Sequence, residues 1–136
     1  MYSMSTHYTT KRHIDALFER YITESMDELP QEYITNLNNV AIVTEDQPSA
    51  DQRRDLKLRC NSLLFGLYEG IPLTLRGTGA TMAPPDKITL FKEPILSVAK
   101  SPAALKEQIK RTLWHEIAHH YGLDHDRIHA LEEGLL

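Results

Sequence analysis

Cysteine, aromatic residues and long apolar runs are all scarce in this chain of 136 residues. Cys60 is the only cysteine, so no disulfide can form within the chain, and we expect a small packed residue there. No segment approaches the roughly 20 consecutive apolar residues that a membrane-spanning helix needs. The N-terminal residues 1–13 also lack the apolar core of a secretory signal. These absences predict a mature, cytoplasmic protein.

Positive charge is not in excess either. The chain carries 15 Lys and Arg against 19 Asp and Glu, a formal net charge of −4 at pH 7. Such a balance does not favour nucleic acid or an anionic membrane as a partner. The length and the apolar fraction of 41% predict a single domain over residues 1–136, with residues 1–10 frayed. The sequence leaves the oligomeric state open.

The strongest pattern present is a helix that ends in a turn, over residues 101–125. Ser101 is a favourable N-cap and Pro102 suits the first helical position, so we predict a helix over residues 102–121. Gly122 can adopt the left-handed conformation that ends a helix. The chain is then expected to turn back, and its tail to form one closing helix in which Ile128 packs inward.

This helix and turn carry a set of metal-binding residue types. His115 and His119 are four residues apart, so their imidazoles share one face and can converge on one metal ion. In a continued helix His125 would lie about 9 Å beyond His119 along the axis, and the turn at Gly122 brings it back within reach. Glu116 can reach a water on the metal without binding the metal itself. We therefore predict zinc ligands at His115, His119 and His125 and a catalytic base at Glu116.

Together these positions read H-E-x-x-H-x-x-G-x-x-H, the metal-binding motif of the metzincins. No methionine follows Met82, so the methionine turn of that group has no counterpart here. Over residues 14–133 the chain more closely resembles the small bacterial zincin-like metallopeptidases, also called minimal or possible zinc metallopeptidases. The matching stretches are LP (29–30), NLNNVAIVTEDQP (36–48), GLYEGIPL (66–73), PDKITLFKEPI (85–95) and LWHEIAHHYGLDHDRI (113–128).

The resemblance implies an α+β, minimal zincin-like fold. A small mixed sheet is expected to pack on the long metal-binding helix, with further helices at the N-terminus. In that family the position of His125 is often Asp, and either side chain can bind zinc. The resemblance also implies peptidase activity.

The function predicted is that of a zinc-dependent metallopeptidase, a hydrolase that cleaves peptide bonds with metal-activated water and a glutamate general base. Its partner would be a peptide or protein substrate. The alternative is a catalytically silent metal-binding regulatory or structural module. Glu116 argues against that alternative, because a structural zinc site has no use for a carboxylate that is not a ligand. Tyr68 and Tyr121 are both open as donors to the oxyanion.

Several other polar residues lie near the motif. Glu132 and Glu133 are a fallback for the third ligand, while Asp124 and Asp126 could orient His125 or replace it. His120 points about 100° away from His119, into the apolar sector of the helix. It is therefore predicted to be packed, or paired with Glu116.

Elsewhere the pattern predicts a helix over residues 11–29, an interior strand over 40–44 and a strand at 73–76. Residues 87–92 alternate polar and apolar side chains and carry a lysine at each end, which is typical of a protected edge strand. An edge strand beside the metal helix would accept an extended peptide by β-augmentation. We therefore expect substrate to bind along Ile88, Thr89, Leu90 and Phe91.

Overall fold

The computed structural model of the chain describes residues 4–55, 64–71 and 85–135. The predicted strand at residues 73–76 and the packing of Cys60 lie outside these residues. In chain order the elements are α1 (Met4–Glu28), α2 (Gln31–Ile34), β1 (Val40–Glu45), α3 (Ala50–Asp55), β2 (Gly66–Glu69), β3 (Asp86–Phe91), α4 (Lys92–Val98), α5 (Pro102–His120) and α6 (His125–Leu135). Because helices pack on a small mixed sheet, the fold is α+β, as predicted for a minimal zincin-like protein.

Helix α5 is the centre of the fold. Its N-terminus is formed as predicted, since the Ser101 hydroxyl accepts a hydrogen bond of 3.1 Å from the Ala104 N–H. One face of α5 packs on β2 and β3 and another on α1. Its core residues Ile109, Leu113, Trp114 and Ile117 are all fully buried. Each buried side chain of this size contributes about 1.5–3 kcal/mol to stability, so this helix is held firmly against the sheet.

Helix α1 begins at Met4, so residues 4–10 are helical rather than frayed. Once the packed part of a helix has formed, each further residue adds a hydrogen bond at little cost. The packed part of α1 includes Phe18, which is 1% exposed. No helix among the described residues is both long and apolar enough to cross a membrane.

The three strands lie in the order β1-β3-β2, with β1 parallel and β2 antiparallel to β3. The expected exposed edge at Ile88, Thr89, Leu90 and Phe91 is therefore wrong. These residues form the central strand β3, and all of them are fully buried. Among the strands that the structure describes, β1, predicted to be interior, lies at an edge of the sheet, and Val43 is 36% exposed.

The two lysines that suggested an edge strand have other partners. Lys92 lies at the start of α4, where its ammonium is 2.5 Å from Asp15 and 3.3 Å from Asp46. Lys87 pairs across the sheet with Glu69 at 3.8 Å. These lysines hold neighbouring elements together, so they carry no information about which strand is at the edge.

Candidate active site

The three predicted ligand histidines lie together where α5 ends. The ring centroids of His115 and His119, one turn apart on α5, are separated by 4.7 Å. His125, the first residue of α6, has its ring 6.0 Å from that of His115 and 5.7 Å from that of His119. The structure thus brings all three imidazoles into one cluster.

The turn that returns His125 to the cluster is formed as predicted. Gly122 has a φ of 75°, in the left-handed region. The Leu123 N–H donates to the Ala118 carbonyl and the Gly122 N–H to the His119 carbonyl. These two bonds form a Schellman motif, which ends a helix and reverses the chain. Asp124 then caps α6, because its side chain accepts a 2.8 Å hydrogen bond from the Arg127 N–H.

The environment of the two helical histidines favours their neutral form. Burial lowers the pKa of His115, although the nearby Glu132 carboxylate opposes this effect. Burial also lowers the pKa of His119, and the neighbouring His115 and His125 lower it further. A neutral imidazole has a nitrogen lone pair available for a metal. As the side chains stand, however, no three or more His, Cys, Asp or Glu among residues 4–55, 64–71 and 85–135 form a complete metal-binding arrangement.

A carboxylate from α6 contacts this cluster. One oxygen of Glu132 lies 3.6 Å from Nδ1 of His115, and the other lies 3.5 Å from Nδ1 of His129. The contact therefore engages Nδ1 of His115 and leaves its Nε2 for another partner. The adjacent Glu133 is exposed.

Glu116 is buried between α5 and β2, with 7% of its surface exposed. Burial raises the pKa of its carboxyl to about 7, although a hydrogen bond from the backbone N–H of Tyr68 opposes the shift. A carboxyl group with a pKa near the working pH can both accept and donate a proton.

Gly66 explains how β2 approaches this carboxyl so closely. A Cβ at position 66 would lie 2.6 Å from Cγ2 of Thr112 and 3.2 Å from Cγ of Glu116. No role was predicted for this glycine from the sequence. A glycine within a strand can also mark a close approach of two backbones, and this signal could have identified Gly66 as part of the site.

A cleft of about 520 Å³ lies beside Glu116. The edge of β2, helix α5 and helix α6 form its walls. The lining residues are Leu64, Phe65, Gly66, Gln108, Arg111, Thr112, His115, Glu116, His129 and Glu132. In the part of the chain that the structure describes, no strand pairs with the side of β2 that faces away from β3.

The register of β2 shows which backbone groups face that open side. The Phe91 N–H donates to the Phe65 carbonyl, so this pair is of the hydrogen-bonded type. Pair types alternate along an antiparallel ladder. The backbone groups of Gly66, opposite Leu90, and of Tyr68 therefore point away from β3.

The hydroxyls of both candidate oxyanion donors are engaged elsewhere. The Tyr68 hydroxyl donates to Oδ2 of Asp86 at 2.6 Å, and the Tyr121 hydroxyl donates to the Tyr33 carbonyl at 2.6 Å. His120 is buried as predicted, but its partner is Asp86 rather than Glu116, with Nδ1 2.8 Å from Oδ2. The sequence offered no signal for Asp86, because a single aspartate before a strand is common.

A comparison with protein families matches this chain to one family model, described as zincin-like metallopeptidase, over residues 37–135. The matched region includes the sheet, α5, α6 and all the residues of the site. A comparison with curated proteins found no match. Because the family model covers most of the chain and the whole of the site, the protein belongs to the zincin-like metallopeptidase family.

Proposed function

We propose that the protein is a zinc-dependent metallopeptidase that hydrolyses bonds in peptide or protein substrates. The observation that carries this proposal is the cluster of three imidazoles beside a buried carboxyl group with a pKa of about 7. Membership of the zincin-like metallopeptidase family supports it.

His115, His119 and His125 would hold the zinc ion. With Zn–N distances of 2.0–2.1 Å and tetrahedral angles, the ring centroids of two histidine ligands lie about 5 Å apart. The separations of 4.7, 5.7 and 6.0 Å lie close to this value. The spacing of the three imidazoles therefore fits a zinc ion.

Glu116 would carry the proton during hydrolysis. In its ionised form it takes a proton from the attacking water, whose oxygen forms a bond to the scissile carbonyl carbon. It then gives the proton to the amide nitrogen as the C–N bond breaks. The Tyr68 N–H holds the carboxylate in place for both transfers. When bound, zinc supplies Lewis acidity that polarises the carbonyl and acidifies the water.

The substrate would lie along β2. The backbone N–H and C=O of Gly66 point away from β3 and towards the side on which the cleft lies. An extended peptide can bond to such groups by β-augmentation, which places its backbone beside Glu116. Alternate side chains of the peptide would enter the cleft near Phe65 and Gln108.

The first test is the zinc content of the purified protein, measured by plasma mass spectrometry. We expect about one zinc per chain in the wild type. His119→Ala removes one of three ligands and should weaken zinc binding by at least about a hundredfold. His13→Ala is the control, because His13 is exposed on α1 and should leave zinc binding unchanged. A wild-type protein that takes up no zinc on titration would contradict the proposal.

Glu132→Gln should lower zinc affinity about 10- to 100-fold, since carboxylates that orient a metal-binding histidine have effects of this size. The variant keeps the shape of the side chain but loses the negative charge next to Nδ1 of His115. Glu133→Gln is the matched control. Competition with a chromophoric chelator measures both affinities. Equal affinities in the two variants would show that Glu132 does not orient His115.

A further inference from the structure

We propose that Tyr68, Asp86 and His120 form a positioning cluster that holds the carboxyl group of Glu116 and the strand β2 in a fixed relation to α5. The inference rests on the proposed function only in its naming of Glu116 as the base. None of these three residues contacts the cleft, and none is a proposed ligand.

The buried carboxyl group of Asp86 lies at the start of β3. Its Oδ2 accepts the Tyr68 hydroxyl at 2.6 Å and lies 2.8 Å from Nδ1 of His120. Asp86 is 2% exposed and His120 is 1% exposed. A carboxyl group at this depth needs partners of this kind, because burial without hydrogen bonds is costly. The carboxylate therefore ties β2 and β3 to the last residue of α5.

The backbone of Tyr68 makes a second contact, on the other side of the strand. Its backbone N–H points away from β3 and donates to Glu116. The same residue is thus held at two points, at its hydroxyl by Asp86 and at its backbone by Glu116. A change at either point is transmitted through the tyrosine to the other.

Together with helix α5, these contacts form a closed ring of interactions. Glu116 and His120 are four residues apart on α5, which places them one helical turn apart, about 6 Å along the axis. The ring runs from Glu116 to Tyr68, on to Asp86 and His120, and back through α5. Because a helix of this length is rigid, the ring determines the distance between the edge of β2 and the catalytic carboxyl group.

Gly70 limits the freedom of the cluster further. A Cβ at this position would lie 2.4 Å from Oδ1 of Asp86. The backbone at Gly70, directly after β2, therefore packs against the second carboxylate oxygen of Asp86. Asp86 has little room to turn away from Tyr68 and His120.

The test uses Tyr68→Phe, which removes the hydroxyl but keeps the ring and the backbone N–H. Tyr121→Phe is the matched control, because it removes a hydroxyl with an equally short hydrogen bond to the Tyr33 carbonyl. Amide hydrogen exchange is followed by NMR in the metal-free, folded proteins. In Tyr68→Phe the amide of residue 68 should exchange about tenfold faster, as expected when one hydrogen bond to a charged group is lost.

The amide of Leu67 separates positioning from general loosening. Leu67 pairs with Thr89 on β3, so its N–H does not take part in the ring. In Tyr68→Phe the exchange rate of the Leu67 amide should rise much less than that of residue 68. In Tyr121→Phe neither exchange rate should change. Glu116→Gln should shift the Tyr68 amide resonance. Equal acceleration of both amides, or no change at residue 68, would overturn the proposal.

Asp86→Asn changes the residue that contacts both Tyr68 and His120, and circular dichroism establishes that the variant is folded. It should accelerate exchange at residue 68 at least as much as Tyr68→Phe does, and a folded variant without that effect would contradict the ring. Where peptide cleavage is measurable, Tyr68→Phe should lower kcat about tenfold with little change in KM or zinc content. An unchanged kcat would exclude a positioning role. If no variant and no wild-type protein cleaves peptides, the proposed function fails, while the exchange measurements still decide whether the ring exists.

Discussion

Replacing Glu116 with glutamine is expected to reduce peptide hydrolysis by about 10²- to 10⁴-fold, the usual contribution of a general base. Glutamine has nearly the same shape and can still accept the Tyr68 N–H, but it cannot take a proton from water. Zinc content should stay at the wild-type level, because Glu116 is not one of the proposed ligands. Cleavage of fluorescently labelled casein, with metal content measured on the same samples, provides the test.

The variant Glu107→Gln is the matched control. Glu107 lies on the same helix and undergoes the same change from carboxylate to amide, but it is exposed and has no proposed role in substrate binding or proton transfer. It should keep cleavage within a few-fold of the wild type. A Glu116→Gln protein that binds zinc and cleaves as fast as the wild type would show that another group transfers the proton. Zinc binding without cleavage in any form would instead favour a silent metal-binding module.

The metal-free wild type is expected to lose up to about 3 kcal/mol of stability between pH 4 and pH 8 that Glu116→Gln does not lose. Burial raises the pKa of Glu116 to about 7 in the folded state, from an ordinary value of 4.5. Between these two values the folded protein keeps its proton on Glu116 while the unfolded chain releases it. The free energy of unfolding therefore falls as pH rises through this window and changes no further above it.

Urea unfolding of both proteins in a chelator, at intervals from pH 4 to pH 8, measures this difference. Both proteins contain His115 and His119, whose lowered pKa values destabilise the fold at acidic pH, so this contribution cancels in the comparison. Between about pH 4.5 and pH 7 the free energy of unfolding of Glu116→Gln should rise relative to that of the wild type. Curves that stay parallel would show that Glu116 has an ordinary pKa and is not desolvated.

The positions of the strands within the sheet could not be predicted from the sequence. The sequence predicts strands at residues 40–44 and 87–92, and strands form at both places. Among the described strands, however, the predicted edge strand is central and the predicted interior strand lies at an edge. Val43 belongs to an apolar run and yet is 36% exposed, while Thr89 belongs to an alternating run and is fully buried. Alternation reports the two faces of one strand. It does not report which strands lie beside it, because that depends on pairing with distant residues.

The clustering of the three histidines was predicted from local spacing alone. Ser101, Pro102 and Gly122 determine where α5 begins and ends, and His115, His119 and His125 follow from the helical repeat and the turn after it. Each of these features depends on residues only a few positions apart. Local backbone preferences are therefore enough to bring the three rings together.

Only the tertiary structure decided how Glu116 is held. The raised pKa of Glu116 depends on β2 packing over it, which in turn requires a residue without a side chain at Gly66. The ring through Tyr68, Asp86 and His120 joins segments that are distant in the chain, since Asp86 and His120 alone are 34 residues apart. Burial and hydrogen bonding between such segments arise when the sheet closes on α5, and no spacing within the sequence specifies them.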